Sequence, residues 1–108
     1  MFTSFALTAD DYADMFTAVT GKKHTAADIL EAGDRIWNLE RVWNLKAGID
    51  PSEDKLPKRL LEDAIPSGPS SGQKSKLAEL LPLYYKARGW DQKGIPTKDK
   101  LNSLGLSF

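Results

Sequence analysis

The chain contains no cysteine. That excludes a disulfide, a thiol nucleophile, a cysteine-bound zinc and an iron–sulfur cluster held by this chain's own residues. Histidine is almost absent too. The single His24 lies in a short polar connection, Lys22-Lys23-His24, with no second imidazole to help chelate a metal or build a serine triad. It reads as a solvated loop residue. Net charge is also missing, since 15 Lys and Arg offset 15 Asp and Glu. With its basic residues dispersed, the chain is expected to bind neither nucleic acid nor an anionic membrane. No run approaches the roughly 20 apolar residues of a membrane span, and no basic-then-apolar leader opens the chain. A cytoplasmic location is expected. Gly-rich phosphate loops and HExxH-type helices do not occur, no segment alternates convincingly at period two, and no internal repeat is evident.

What is present is helical pattern. With 108 residues, 41% hydrophobic and 28% charged, the expectation is one soluble all-α domain over residues 1–108. It should hold about four helices and a long Pro/Gly/Ser loop. The stretch 25–48, TAADILEAGDRIWNLERVWNLKAG, is the longest uninterrupted helical pattern and carries Trp37 and Trp43. Thr25 can cap it, with Asp28 as the acidic partner of a capping box, and Gly48 supplies a left-handed end. Ile29, Gly33, Ile36, Glu40, Trp43 and Ala47 fall on one stripe, flanked by Leu30 and Trp37 and by Ala32 and Leu39. This arc, about half the circumference, predicts a helix buried on most sides. Gly33 costs about 1 kcal/mol of helix propensity there, which a close crossing by another element would offset. Glu40, a carboxylate on that face, is expected to meet an Arg, with Arg59 and Arg88 as candidates, or a helix N-terminus, in an internal ion pair or else as an acid–base group.

The other helices follow from their caps. Thr8 starts one over residues 9–20, ended by Gly21, with Tyr12, Met15, Phe16 and Val19 as its buried face. Asp10, Asp11 and Asp14 resemble a carboxylate cluster but suit the positive end of the helix dipole. With the central stretch this helix should form an αα-hairpin. Residues 56–61 suggest one helical turn opened by Pro57, and residues 66–72, PSGPSSG, an irregular surface loop. A further helix runs from about Ser75 to Arg88, interrupted by Pro82 and closed by Gly89, with Trp90 set to meet Tyr85. Thr97 caps a last short helix through Leu101 and Leu104. Trp37, Trp43, Trp90, Tyr84 and Tyr85 are expected in the core. No catalytic, cofactor-binding or metal-ligating residue is assigned.

Three strings carry a family likeness: RIWNLERVWNLKAG at 35–48, LPKRLLEDAIPSGPSSG at 56–72, and LLPLYYKARGWDQKGIPTKDKLNSLGL at 80–106. In this order they resemble the C-terminal end of the tungsten-containing aldehyde ferredoxin oxidoreductase family. The string YY-x-x-RGWD-x-x-GIPT is the most specific part, and Pro82 departs from the pattern. The resemblance implies an enzyme that oxidises an aldehyde with water to a carboxylate. It would use tungsten, or molybdenum, on two pterin-dithiolene cofactors and pass electrons through a 4Fe–4S cluster to ferredoxin. The family's cluster cysteines, its histidine near the metal and its Asp-x-x-Gly-Leu-Cys stretch belong to a longer chain, so no functional position carries over. The implied role is structural, around the cofactor cavity, with the remainder of the oxidoreductase as partner and the isolated chain inactive. Residues 1–7 would then be chain leaving the cofactor site. The alternative is a free-standing helical module that binds another protein.

Overall fold

The computed structural model describes residues 6–106. Most of the expected exit segment, residues 1–5 of 1–7, lies outside the described residues. Five α-helices follow in order: α1 (Ala9–Thr20), α2 (Ala26–Lys46), α3 (Lys58–Glu62), α4 (Leu77–Arg88) and α5 (Lys98–Ser103), with a 3₁₀ turn at Pro51–Glu53. The chain is all-α, and among the described residues the sole strand-like pairing is a bridge between Trp90 and Pro96. The helical turn expected at residues 56–61 is α3, five residues long; Pro57 sits one position ahead of it, as its cap.

Local chemistry explains each boundary. At α1, Asp11 accepts from the Thr8 backbone N–H at 2.6 Å while its own N–H donates to Thr8 Oγ1 at 3.3 Å. Thr25 and Asp28 repeat this reciprocal arrangement at the start of α2, at 2.7 and 3.3 Å. The C-terminal ends of α2, α4 and α5 share one closure. The N–H of Ile49 reaches Asn44 O at 2.9 Å, that of Trp90 reaches Tyr85 O at 2.9 Å, and that of Leu106 reaches Leu101 O at 2.9 Å. Each follows a glycine with positive φ: Gly48, Gly89 and Gly105. These are Schellman endings, in which the left-handed residue lets two late carbonyls be satisfied. Pro82 lies within α4, which therefore lacks one amide donor, and Pro82 is exposed.

The chain divides into two compact units. The terminal unit is Met1–Glu40 with Leu101–Phe108; the central unit is Arg41–Lys100. In the terminal unit α1 turns into α2 through His24, whose N–H donates to Thr17 Oγ1 at 2.9 Å while Phe16 meets its ring edge-on at 6.0 Å. The hairpin expected from Gly21 and the polar link therefore forms, with His24 half-buried against α1 rather than solvated. Arg35 Nε donates to Leu104 O at 2.8 Å and ties the chain end to α2. The buried residues of this unit are Ala13, Asn38 and Leu104.

The central unit holds the 66–72 loop at its neck, where Gly72 N–H donates to Ile65 O and Ile65 N–H to Gln73 O, both at 2.9 Å. Its core is Tyr85 and Trp90, 6% and 8% exposed, with Gly94 and Pro96 buried beside them.

Three expectations about burial fail together. On α1, Met15, Phe16 and Val19 are exposed, Val19 at 87%, and Ala13 is the buried position. On α2, Gly33, Ile36, Glu40, Trp43 and Ala47 are exposed, whereas Asn38 is fully buried and Asp34, Arg41 and Leu45 are partly so. Positions 34, 38, 41 and 45 form one helical stripe on the opposite side from the apolar one. The helix therefore turns its polar stripe inward. Asn38 tolerates this because its Nδ2 donates to Asp34 O at 2.9 Å and to Asp34 Oδ1 at 3.2 Å. Glu40 makes no ion pair with any described residue, Arg59 and Arg88 included. No neighbour crosses at Gly33, where an added β-carbon would meet nothing within 4 Å. Trp37 and Trp43, expected in the core, are 45% and 73% exposed.

Candidate functional site

The densest chemistry in the chain lies in the central unit, around a carboxylate delivered by the loop after α2. Asp50 caps the 3₁₀ turn through Ser52 N–H at 2.8 Å, and the turn places Asp54 against the last turns of α2. There Arg41 grips it with both terminal nitrogens, Nη1 to Oδ1 at 2.9 Å and Nη2 to Oδ2 at 2.5 Å. Tyr85, from α4, donates its hydroxyl to the same Oδ2 at 2.6 Å. Such two-pronged, charge-assisted bonding is among the stronger polar arrangements available to a protein. The Arg41 and Asp54 side chains are 12% and 27% exposed, so water screens the pair only in part.

The rest of the site is the turn after α4. Asp91 Oδ1 accepts from the N–H groups of Lys93 at 2.8 Å and Ile95 at 2.9 Å. Asp91 N–H donates to Ile95 O at 2.8 Å, and Thr97 Oγ1 donates to Gly89 O at 2.9 Å. This folds residues 89–97 into a closed knot and aims Gly94 O at Arg41 Nε, 2.9 Å away. The Arg41 guanidinium also lies over the Trp90 ring, 4.8 Å from its centre. Gly94 is required twice over. Its φ is +74°, and a β-carbon there would come within 2.6 Å of Tyr85 Cζ and 2.7 Å of Arg41 Nη2. The string YY-x-x-RGWD-x-x-GIPT is thus a packing device, with Tyr85, Trp90 and Gly94 closing around Arg41.

The electrostatics agree with the geometry. Arg41 holds the Asp54 carboxyl below its usual range against the opposing effect of burial, and the Tyr85 hydroxyl adds to this. The guanidinium is in turn shifted upward, chiefly by its hydrogen bonds to Asp54. Burial, then the bond to Asp54, pushes the Tyr85 phenol up to about 12. A neutral phenol, a carboxylate and a guanidinium, each satisfied by the others, form a clasp and leave no reactive pair. Two clefts flank Tyr85. One of 770 Å³ lies between Pro82, Lys86, Trp90, Asp91 and Thr97; another of 410 Å³ lies between Asp50, Leu81, Gln92, Lys93 and Ile95.

The residues weighed from sequence fall elsewhere. Asp11 is spent on the α1 capping box, and Asp10, Asp11 and Asp14 form no metal-binding group; none exists among the described residues. His24 bonds to the hairpin and Glu40 stands on an exposed face. Arg41 and Asp54 carry no motif that singles them out in the sequence. The available signal was the polar stripe Asp34, Asn38, Arg41, which on a helix with so broad an apolar face reads as the solvated side.

Among the described residues the chain is a helical domain with an aromatic clasp in its central unit and an exposed apolar face on α2. The particular family is explicit in sequence comparison. Residues 1–106 match the family described as aldehyde ferredoxin oxidoreductase, domains 2 & 3, and the chain belongs to that family. It is 53% identical over 107 residues to a tungsten-containing aldehyde ferredoxin oxidoreductase of Pyrococcus abyssi, covering 98% of this chain and 18% of the relative. The Pyrococcus furiosus enzyme of the same name is 51% identical over 108 residues, 99% of this chain and 18% of the relative. An aliphatic sulfonate oxidoreductase, WOR-like subunit, of the same organism is 33% identical over 84 residues, 70% of this chain and 13% of that protein. The chain thus spans about a fifth of the length of the tungsten enzymes it matches.

Proposed function

We propose that this chain serves as the C-terminal helical portion of an aldehyde ferredoxin oxidoreductase-like enzyme, as one domain helping to wall the cofactor and substrate cavity. The complete enzyme would convert an aldehyde and water to a carboxylate and pass electrons to ferredoxin in the cytoplasm. Tungsten, or molybdenum, on two pterins and a 4Fe–4S cluster would be held by the remainder. The donor set in hand does not fit the cluster: there is no cysteine, and no metal-binding group among the described residues. We assign no residue of this chain to catalysis, cofactor or metal. A structural role is the one the observed geometry supports.

One observation carries the reading: the chain buries the polar stripe of α2 and exposes the apolar one, with Ile36 at 58% and Leu30 at 64%. Side chains of that kind in one contiguous face mark an interaction surface. The likeness to the tungsten enzymes names the partner as the remainder of such an enzyme. The test is a chimera of the Pyrococcus furiosus enzyme in which this chain replaces the matching residues, alongside a version in which they are deleted. The chimera should oxidise aldehyde with ferredoxin as acceptor, and the deletion should not. A chimera no more active than the deletion would overturn the proposal, and a stable monomer of the isolated chain would then favour the free-standing module.

A further inference from the structure

The terminal-unit part of α2 presents a face with a definite design. Ile29, Leu30, Gly33, Ile36, Trp37 and Glu40 recur at three- and four-residue spacing on one side of the helix, so they share a surface. Leu30, Ile36 and Trp37 are exposed large apolar groups at 64%, 58% and 45%. Gly33 lies at the middle with open space around it and with helical backbone, so its lack of a side chain answers no internal need. In a helix interior a glycine is destabilising relative to alanine, which makes an unexplained one a sign of close backbone approach from outside. Glu40 closes the stripe, exposed, with no ion pair to any described residue.

We infer that this face is the seat of one helix from the remainder of the enzyme, crossing α2 at Gly33 and carrying an Arg or Lys opposite Glu40. The inference rests on the proposed function above. Three features select the occupant. The stripe is apolar with one acidic edge, which an apolar helix bearing one cation complements and an acidic or uniformly polar segment does not. The glycine lowers the wall of the groove where two helix axes would come closest, at the short end of the usual 8–10 Å. The relatives supply roughly four-fifths of their length beyond the part matched here, ample chain to provide such a helix.

The inference makes opposite predictions for the chain alone and for the chimera. In the isolated 108-residue chain, Gly33→Ala should raise the Tm by about 5 °C, because it adds helix propensity in open space. In the chimera the same substitution should lower the Tm and reduce aldehyde oxidation at least about tenfold. Glu40→Lys should leave the isolated chain's Tm unchanged and weaken the chimera, and a Lys→Glu or Arg→Glu change on the facing helix should restore it. An active chimera that tolerates both substitutions would overturn the crossing while leaving the proposed function standing. An inactive parent chimera would remove both. Gly33→Ala lowering the Tm of the isolated chain as well would mean that α2 is crossed at Gly33 by this chain itself, and would sink the inference.

Discussion

In Arg41–Lys100 two large aromatic side chains turn inward, while Trp43 and Tyr84 stay exposed: Tyr85 and Trp90 lie 5.9 Å apart, ring to ring, with Arg41 between them and the Asp54 loop. In Met1–Glu40 with Leu101–Phe108 the pattern is reversed. Phe16, Val19, Ile36 and Trp37 face outward, and the buried positions are an alanine, an asparagine and one leucine. One helix, α2, supplies both regions. The central unit satisfies the polar groups of its clasp and covers the Tyr85 and Trp90 rings, so the stability of that cluster is internal. The terminal unit has good caps and a good hairpin but little buried apolar area, and area removed from water is what drives folding. The comparison teaches that a correct helix boundary says nothing about which side of the helix is meant to be covered.

The contrast can be broken most sharply at Arg41. Arg41→Ala removes both bonds to Asp54, the bond to Gly94 O and the contact with Trp90, and leaves Asp54 without its counter-charge. Loss of one partner from a mostly buried pair costs about 3 kcal/mol. Chemical denaturation followed by tryptophan fluorescence should show that loss. If it is under about 1 kcal/mol, well short of a buried pair, the clasp is not what holds the central unit. Gly94→Ala ranks next. It places a β-carbon 2.6 Å from Tyr85 Cζ at a φ of +74°, so overpacking and a left-handed alanine add. We expect about 2 kcal/mol. Gly33→Ala, a chemically identical change in the terminal unit, should have the opposite sign in the isolated chain.

A smaller effect appears in the pH dependence of unfolding. Asp54 is lowered in the fold from 3.8, so its contribution is present above that value and is lost as pH falls through the lower, folded one. Tyr85 is raised from 10.0 to about 12, so its contribution is present below 10.0 and is lost as pH rises toward 12. The central unit should therefore hold its stability between about pH 4 and pH 10 and weaken on both sides. Tyr85→Phe should cost about 1 kcal/mol at neutral pH through loss of the bond to Asp54. It should also remove the part of the alkaline limb that Tyr85 contributes, because its phenol is gone. An alkaline limb unchanged in Tyr85→Phe would place that titration elsewhere.

Much of this was legible in the sequence because caps are local. Thr8 with Asp11, Thr25 with Asp28, and the glycines at 21, 48, 89 and 105 set helix ends through bonds spanning a few residues. The contact between Trp90 and Tyr85 follows from the same local geometry. The clasp was not legible. Arg41 reaches Asp54 across 13 residues and Gly94 across 53, and nothing in the composition of either loop marks the pairing. Burial of α2 failed for a different reason. Periodicity locates an apolar face, but whether that face meets this chain's own residues or another part of a larger protein is settled by neighbours. Glu40 follows the same logic: an internal partner is expected for it only if its stripe is internal, and that stripe is exposed.

The smallest effect sharpens the comparison from the other side. Val19 is 87% exposed on α1, so Val19→Ser removes almost no buried area and exchanges two residues of similar helix propensity. The isolated chain should keep its stability within about 0.5 kcal/mol. Truncating a buried apolar side chain of the central unit should cost several times as much. Aggregation in the isolated chain should fall, since one exposed apolar group is gone from an uncovered face. A large loss of stability on Val19→Ser would mean that α1 is covered after all by residues of this chain, and the difference between the two units would close.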